Sequence, residues 1–194
     1  MNNPKYIIIH SSDVGHKTVP NQFKNINDYH RDVREFPISS LGYFIGYHQL
    51  ITGDINYVCR KESDVGAHCN QQLDGVSMNF QSLGVCVGFD GDVEYPSQNQ
   101  YNLLQQQVWH WQDRYAITND KVFFHRKFAT WKTCPGGLIT DAWLKQLLMR
   151  PVTTPASVRV ATESCTFEKK EIEKQNSQIF YLRTFINFLL KYIK

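Results

Sequence analysis

Three consecutive isoleucines close to the start of the chain limit what it can become. In Lys5-Tyr6-Ile7-Ile8-Ile9-His10-Ser11-Ser12 every residue from Tyr6 to Ile9 is β-branched or aromatic, a strand-forming run with no polar face. Such a strand belongs in the middle of a sheet covered on both sides. It ends in a histidine and two hydroxyls, so polar chemistry is delivered to a strand end. Ser82-Leu83-Gly84-Val85-Cys86-Val87-Gly88-Phe89 and Val122-Phe123-Phe124 read as two further short buried strands. Gly42 to Ile51 and Ile55 to Cys59, around Thr52-Gly53-Asp54, read as a hairpin.

Helical spacing separates these runs. Phe23, Ile26, Tyr29 and Val33 predict a helix over 21–36 that Pro37 stops. Tyr101, Leu104, Val108, Trp111 and Tyr115 predict one over 98–116, and Leu138, Ala142, Trp143 and Leu147 a last one ending near Arg150-Pro151. The fold class is therefore α/β, a central mixed sheet flanked by helices, with an extra helix at the C-terminus. The expected domains are a catalytic unit over 1–150, a linker over 151–166 of Pro/Thr/Ser composition, and an amphipathic basic helix over 167–194.

Charge narrows the function. Residues 1–150 carry 14 Lys/Arg against 14 Asp/Glu, a balance of zero; the remaining 7 against 4 give the whole excess of +3 to the tail. A neutral domain argues against nucleic acid as a partner. The tail places Ile179, Leu182, Ile186, Leu189 and Ile193 on a wide apolar face, with Arg183, Asn187 and Lys191 as a narrow polar stripe. It can pack on the domain, mediate self-association, or lie in a membrane surface; spanning is disfavoured by Arg183 and Lys191. Met1 to Lys5 shows no basic-then-apolar leader, so synthesis in a cytoplasm without a signal peptide is expected. Five cysteines without framework spacing are expected to be reduced thiols.

The chemistry concentrates in Phe123-Phe124-His125-Arg126-Lys127-Phe128-Ala129-Thr130-Trp131-Lys132-Thr133-Cys134-Pro135-Gly136. A histidine at a strand end, a lysine, and a cysteine nine residues after the histidine offer half of a catalytic zinc site, which needs three protein ligands and an open position. His10, His125 and Cys134 are the candidate ligands.

His10 after its isoleucine strand, Gly46-Tyr47-His48, Val65-Gly66-Ala67-His68, Asn79 to Val85 and the His-x8-Cys-Pro-Gly stretch occur in one order. Together with Asp28-Tyr29-His30-Arg31, that order resembles the zinc-dependent N-acetylmuramoyl-L-alanine amidases of the phage lysozyme and peptidoglycan-recognition-protein superfamily, over about residues 5 to 148. The resemblance implies Zn2+ held by His10, His125 and Cys134, and cleavage of the amide between N-acetylmuramic acid and L-alanine in peptidoglycan. It places Tyr47 and Lys132 beside the metal, where a lysine suits oxyanion stabilisation and a tyrosine suits orienting water or proton transfer; the division of roles stays open. His68 and Asn79 match positions lining the substrate groove, or cap the long loop. His48, next to Tyr47 on an extended run, points to the opposite face. His16, His30 and His110 have no metal-like partners, and His110 between two tryptophans suggests packing.

Three departures stand out: the glutamate general base that some relatives carry near the metal has no clear counterpart, Lys127-Phe128 follows Arg126 where Asp-Val is common, and Thr130-Trp131 fills a position of smaller residues. The expected role is a phage endolysin that reaches the cell wall after membrane permeabilisation. Rival readings are a peptidoglycan-binding module without catalysis, disfavoured by the presence of Cys134, and a cytoplasmic muropeptide-recycling amidase.

Overall fold

A computed structural model of the chain describes residues 1–15 and 21–151. In chain order the elements are β1 (Tyr6–Ser11), α1 (Gln22–Asp32), β2 (Gln49–Thr52), β3 (Ile55–Val58), β4 (Gln72–Leu73), β5 (Val76–Ser77), β6 (Ser82–Val87), α2 (Gln98–Tyr115), β7 (Val122–Phe124) and α3 (Asp141–Leu148). The strand order of the main sheet is β3-β2-β6-β1-β7, and β4 pairs with β5 in a separate small hairpin. β1 runs parallel to both neighbours, with His10 opposite Cys86 and Ile9 opposite Phe124. β2 is parallel to β6 and antiparallel to β3, which makes the sheet mixed, as expected.

The isoleucine run is divided between two layers by the pleat. Ile7 and Ile9 join Leu83, Val85 and Val87 against Leu104, Val108 and Trp111 of α2 and Leu147 of α3. Ile8 faces the other way, into a cluster with Cys69 and Met78 backed by Phe128. Leu50 and Cys86 meet Phe23 and Ile26 of α1. Ile7 and Ile8 are wholly buried and Ile9 almost so, each worth roughly 1.5–3 kcal/mol of burial. His10 continues the register of Ile8, so it emerges at the strand end on the α1 side.

Boundaries differ from the sequence reading where side-chain ties override local propensity. Residues 42–48 are loop, not strand: Gly42 has φ +87°, and Gly46 is tied to Ala67 and to the His30 ring. The first helix stops at Asp32, well before Pro37, with Glu35 in the left-handed region at φ +50°. α2 is fixed at its start by a reciprocal Ser97–Gln100 capping box and closed by Ala116 in the left-handed region. The buried Arg60 guanidinium donates to the carbonyls of Pro37 (2.5 Å), Ile45 (2.8 Å) and Val65 (3.2 Å), fastening the loops on either side of Tyr47.

By its contacts the chain separates into Met1–Met149 and Arg150–Lys194, and every element above belongs to the first unit. The expected linker beyond Pro151, the expected helix over 167–194 and His16 lie outside the described residues. Among the described residues no helix is long and apolar enough to cross a membrane.

Candidate metal centre

Because β1 and β7 lie side by side and parallel, their C-terminal ends bring His10 and His125 level, with ring centroids 4.5 Å apart. His125 opens the helical turn directly after β7. The loop beyond it returns Cys134 to the same place, with Sγ 3.9 Å from His10 Nδ1. The three donor atoms all lie within 4.8 Å of one another, and all three residues are buried. A tetrahedral zinc with bonds of about 2.0–2.1 Å to nitrogen and about 2.3 Å to sulfur would set its donors roughly 3.3–3.6 Å apart. The donor set fits a metal ion with small adjustments of side-chain torsions.

Electrostatics favour the same use. Burial holds the His10 pKa well below the ordinary value, helped by His125 and His68, and lowers His125 to about 4, helped by Lys132. Both imidazoles are neutral near pH 7 and keep a free lone pair. Burial pushes the Cys134 thiol up to about 11, so a thiolate in this pocket needs a cation beside it.

The three residues sit at the floor of a groove of about 580 Å³, lined also by Tyr47, His68, His30 and Lys132, with Ile26, Tyr29 and Phe36 supplying apolar wall. Tyr47 packs its ring 5.0 Å from that of His10, and its phenol, hydrogen-bonded to Cys86, is raised well above the usual value by burial. Lys132 is exposed on the Cys134 loop, and its charge bears on His10, His125 and Cys134. His68 Nδ1 lies 3.1 Å from His10 Nε2. With His10 Nδ1 facing Cys134, Nε2 is the nitrogen left to donate to His68. Asn79 does not line the groove; its carboxamide oxygen accepts from the main-chain N–H groups of His68 (2.9 Å) and Cys69 (2.8 Å). Of the two expected readings for Asn79, the loop cap is the one its contacts describe.

The family model for N-acetylmuramoyl-L-alanine amidase matches residues 1–137. The chain belongs to this family. Among solved structures it is similar to the N-acetylmuramoyl-L-alanine amidase LysC from Clostridium intestinale, at TM-score 0.59 and 24% identity over 76% of this chain and 86% of that one. It is also similar to wild-type Drosophila PGRP-LB, at TM-score 0.58 and 22% identity over 79% and 85%. The Ph2119 endolysin of a Thermus scotoductus bacteriophage gives TM-score 0.58 and 20% identity over 77% and 88%. These likenesses establish the peptidoglycan-recognition-protein-like amidase fold. No curated protein matches the chain.

The amidase groove holds residues that sequence reasoning passed over. His30, set aside for lack of a metal-like partner, stands 5.5 Å from the Tyr47 ring and accepts from Gly46 N–H; its place in Asp28-Tyr29-His30-Arg31 was the available signal. Ser11, one of the two hydroxyls at the end of β1, touches Cys134, and Cys86, opposite His10 in the sheet, touches Tyr47; nothing in sequence marks Cys86. His48 does turn away from the groove, donating to the Asp64 carbonyl (3.0 Å) and accepting from Gly84 N–H (3.0 Å). His110 is exposed near Glu62 instead of packed between tryptophans. Trp131 is 71% exposed on the turn before Lys132.

Proposed function

We propose that the protein is a zinc-dependent hydrolase that cleaves the amide between the lactyl group of N-acetylmuramic acid and L-alanine of the peptidoglycan stem peptide, in the role of a cell-wall-lytic endolysin. One observation carries this reading: two neutral imidazoles and a thiol converge at the floor of a groove that also holds Tyr47 and Lys132. Membership of the amidase family supports the bond cleaved. That the similar structures include amidases and a phage endolysin supports the lytic role.

His10, His125 and Cys134 would hold the zinc, Cys134 as thiolate; a zinc so bound supplies Lewis acidity and lowers the pKa of water. Lys132 brings a positive charge to the groove beside those ligands, suited to stabilise the oxygen that becomes negative as the lactyl carbonyl turns tetrahedral. Tyr47 stays protonated at neutral pH because burial disfavours its phenolate. Its hydroxyl therefore acts as a donor, orienting the reacting groups or passing a proton towards the alanine nitrogen, which must gain one as the C–N bond breaks. His68, held by Asn79 through the loop main chain, fixes the ring of His10.

The test is incubation of purified protein with peptidoglycan, with and without a chelator, followed by identification of the new ends. Free L-alanine amino termini that appear only with metal are expected. New reducing sugar ends, or release that survives the chelator, refute the reading; tight binding without any new ends would establish a binding module instead.

A further inference from the structure

The Cys134 ligand differs from the two histidines in having no sheet beneath it, since it sits on a loop. We infer that Arg126 and Asp92 are positioning residues that close on this loop from two sides and set the Cys134 sulfur for the metal, an inference that rests on the metal reading above.

Arg126 follows His125 directly and spans the loop. Its main-chain N–H donates to the Cys134 carbonyl at 2.9 Å. Its guanidinium donates to the carbonyls of Thr133 (3.1 Å) and Gly136 (2.8 Å), and to that of Ile139, while lying 4.5 Å over the Phe124 ring. One side chain thus grips the residue before Cys134 and the second residue after it. Three carbonyls in one fork is work that guanidinium geometry permits and an ammonium does not.

Asp92 arrives from the turn after β6. One oxygen accepts from the Thr133 hydroxyl at 2.7 Å and the other from the Gly137 N–H at 2.6 Å, so the carboxylate also brackets Cys134. The two loops touch main chain to main chain behind it: Leu138 N–H donates to Gly91 O at 3.0 Å, and a Cβ on either Gly91 or Gly136 would overlap the other loop's backbone. Gly136, at φ +119°, needs glycine for its conformation as well. Every one of these side-chain hydrogen bonds falls on residues 133–139, around the ligand and next to Lys132. Groups that orient a ligand commonly change metal affinity 10–100-fold when lost.

Zinc affinity, by competition with a chromophoric chelator, and the thiolate-to-metal band of the cobalt(II) form are measured for Asp92→Ala, Arg126→Lys and Thr133→Val. Glu62→Gln serves as a control that loses hydrogen bonding far from this loop, and metal-free melting is followed for all. We expect zinc binding weakened at least tenfold in Asp92→Ala and Arg126→Lys and at least threefold in Thr133→Val, with an altered thiolate band, while Glu62→Gln binds zinc like the parent. Thr133→Val, which removes only a hydroxyl, decides the matter if the other two do not fold. Smaller losses, or a loss matched by Glu62→Gln, overturn the positioning role. A parent protein that binds no zinc overturns instead the reading of the metal centre.

Discussion

Gly84→Ala tests how the candidate metal ligand His10 is held from behind. Gly84 lies in β6 on the face that carries His10, and its missing side chain is the space occupied by the His68 ring. A Cβ there would stand 2.6 Å from His68 Cγ and Cδ2 and 2.7 Å from Nδ1, while Gly66 closes the other side, its own Cβ position being 2.5 Å from Cδ2. Restoring an ordinary carbon contact of about 3.5 Å requires the ring to move by roughly 0.9 Å. The His10–His68 hydrogen bond, 3.1 Å long, would stretch to about 4 Å if the ring moved along it, beyond hydrogen-bonding range. Overpacking of this kind costs about 1–3 kcal/mol, which for a domain of this size lowers Tm by roughly 2–10 °C. Loss of the partner that orients His10 should weaken zinc binding about 10–100-fold. Thermal melting of the metal-free protein and chelator competition read the two effects separately. If Gly84→Ala melts within 1 °C of the parent and binds zinc equally well, His68 does not position His10 and the packing argument fails.

Cys134→Ser should abolish tight zinc binding and amidase activity while leaving the metal-free fold intact; full zinc content in the purified variant would remove Cys134 from the ligand set. Exhaustive chelation should silence the parent protein, and stoichiometric zinc should restore it, as read by release of L-alanine amino termini. Glu62 accepts from Trp111 Nε1 (2.7 Å), Tyr115 Oη (2.8 Å) and Arg114 Nε (3.1 Å), so Glu62→Ala should cost about 2 kcal/mol without changing zinc affinity; denaturant unfolding that shows no loss contradicts this. Burial lowers His48 to about 4 from 6.5. Unfolded His48 binds a proton that folded His48 refuses between those values, so stability is complete above pH 6.5 and falls as pH drops towards 4, by an amount on the order of 3 kcal/mol. Denaturant midpoints that stay flat across that window refute it.

The centre of the sheet was legible because β1 is apolar on both faces: Ile7, Ile8 and Ile9 announce a central position that no amphipathic reading can accommodate. Two of the three candidate ligands were legible for a related reason, since His10 and His125 stand at the ends of such strands. What sequence could not supply was depth. Sequence sets His48 apart from His68 but not the partners of either: one is fixed by main-chain groups of Asp64 and Gly84 and the other meets His10. For Asn79 sequence leaves groove lining and loop capping side by side, because motif order carries no information on which way a carboxamide turns. The ties of Arg126 are hidden from sequence because its hydrogen-bond partners are main-chain groups, which any sequence possesses, and that of Asp92 to the Thr133 hydroxyl because it joins residues 41 apart. Around the end of the shortened first helix the ties come from residues distant in the chain: Gly46 N–H to the His30 ring and the Arg60 guanidinium to the Pro37 carbonyl.

β1 is the earliest strand made and also the one between β6 and β7, the two made last. Tyr6 waits for Ser82, and Ile7 for Val122, before either edge of the isoleucine strand is paired. Pairings so far apart in sequence are slow to close, because loop entropy is lost before the contacts form. During synthesis one edge of this wholly apolar strand can pair once β6 is made, and the other stays open until β7, near the end of the domain, has followed. His10 meets His125 only at that moment. A metal held by His10, His125 and Cys134 would consequently be captured only at the end of folding, and a chain truncated before β7 should neither bind the ion nor stay soluble.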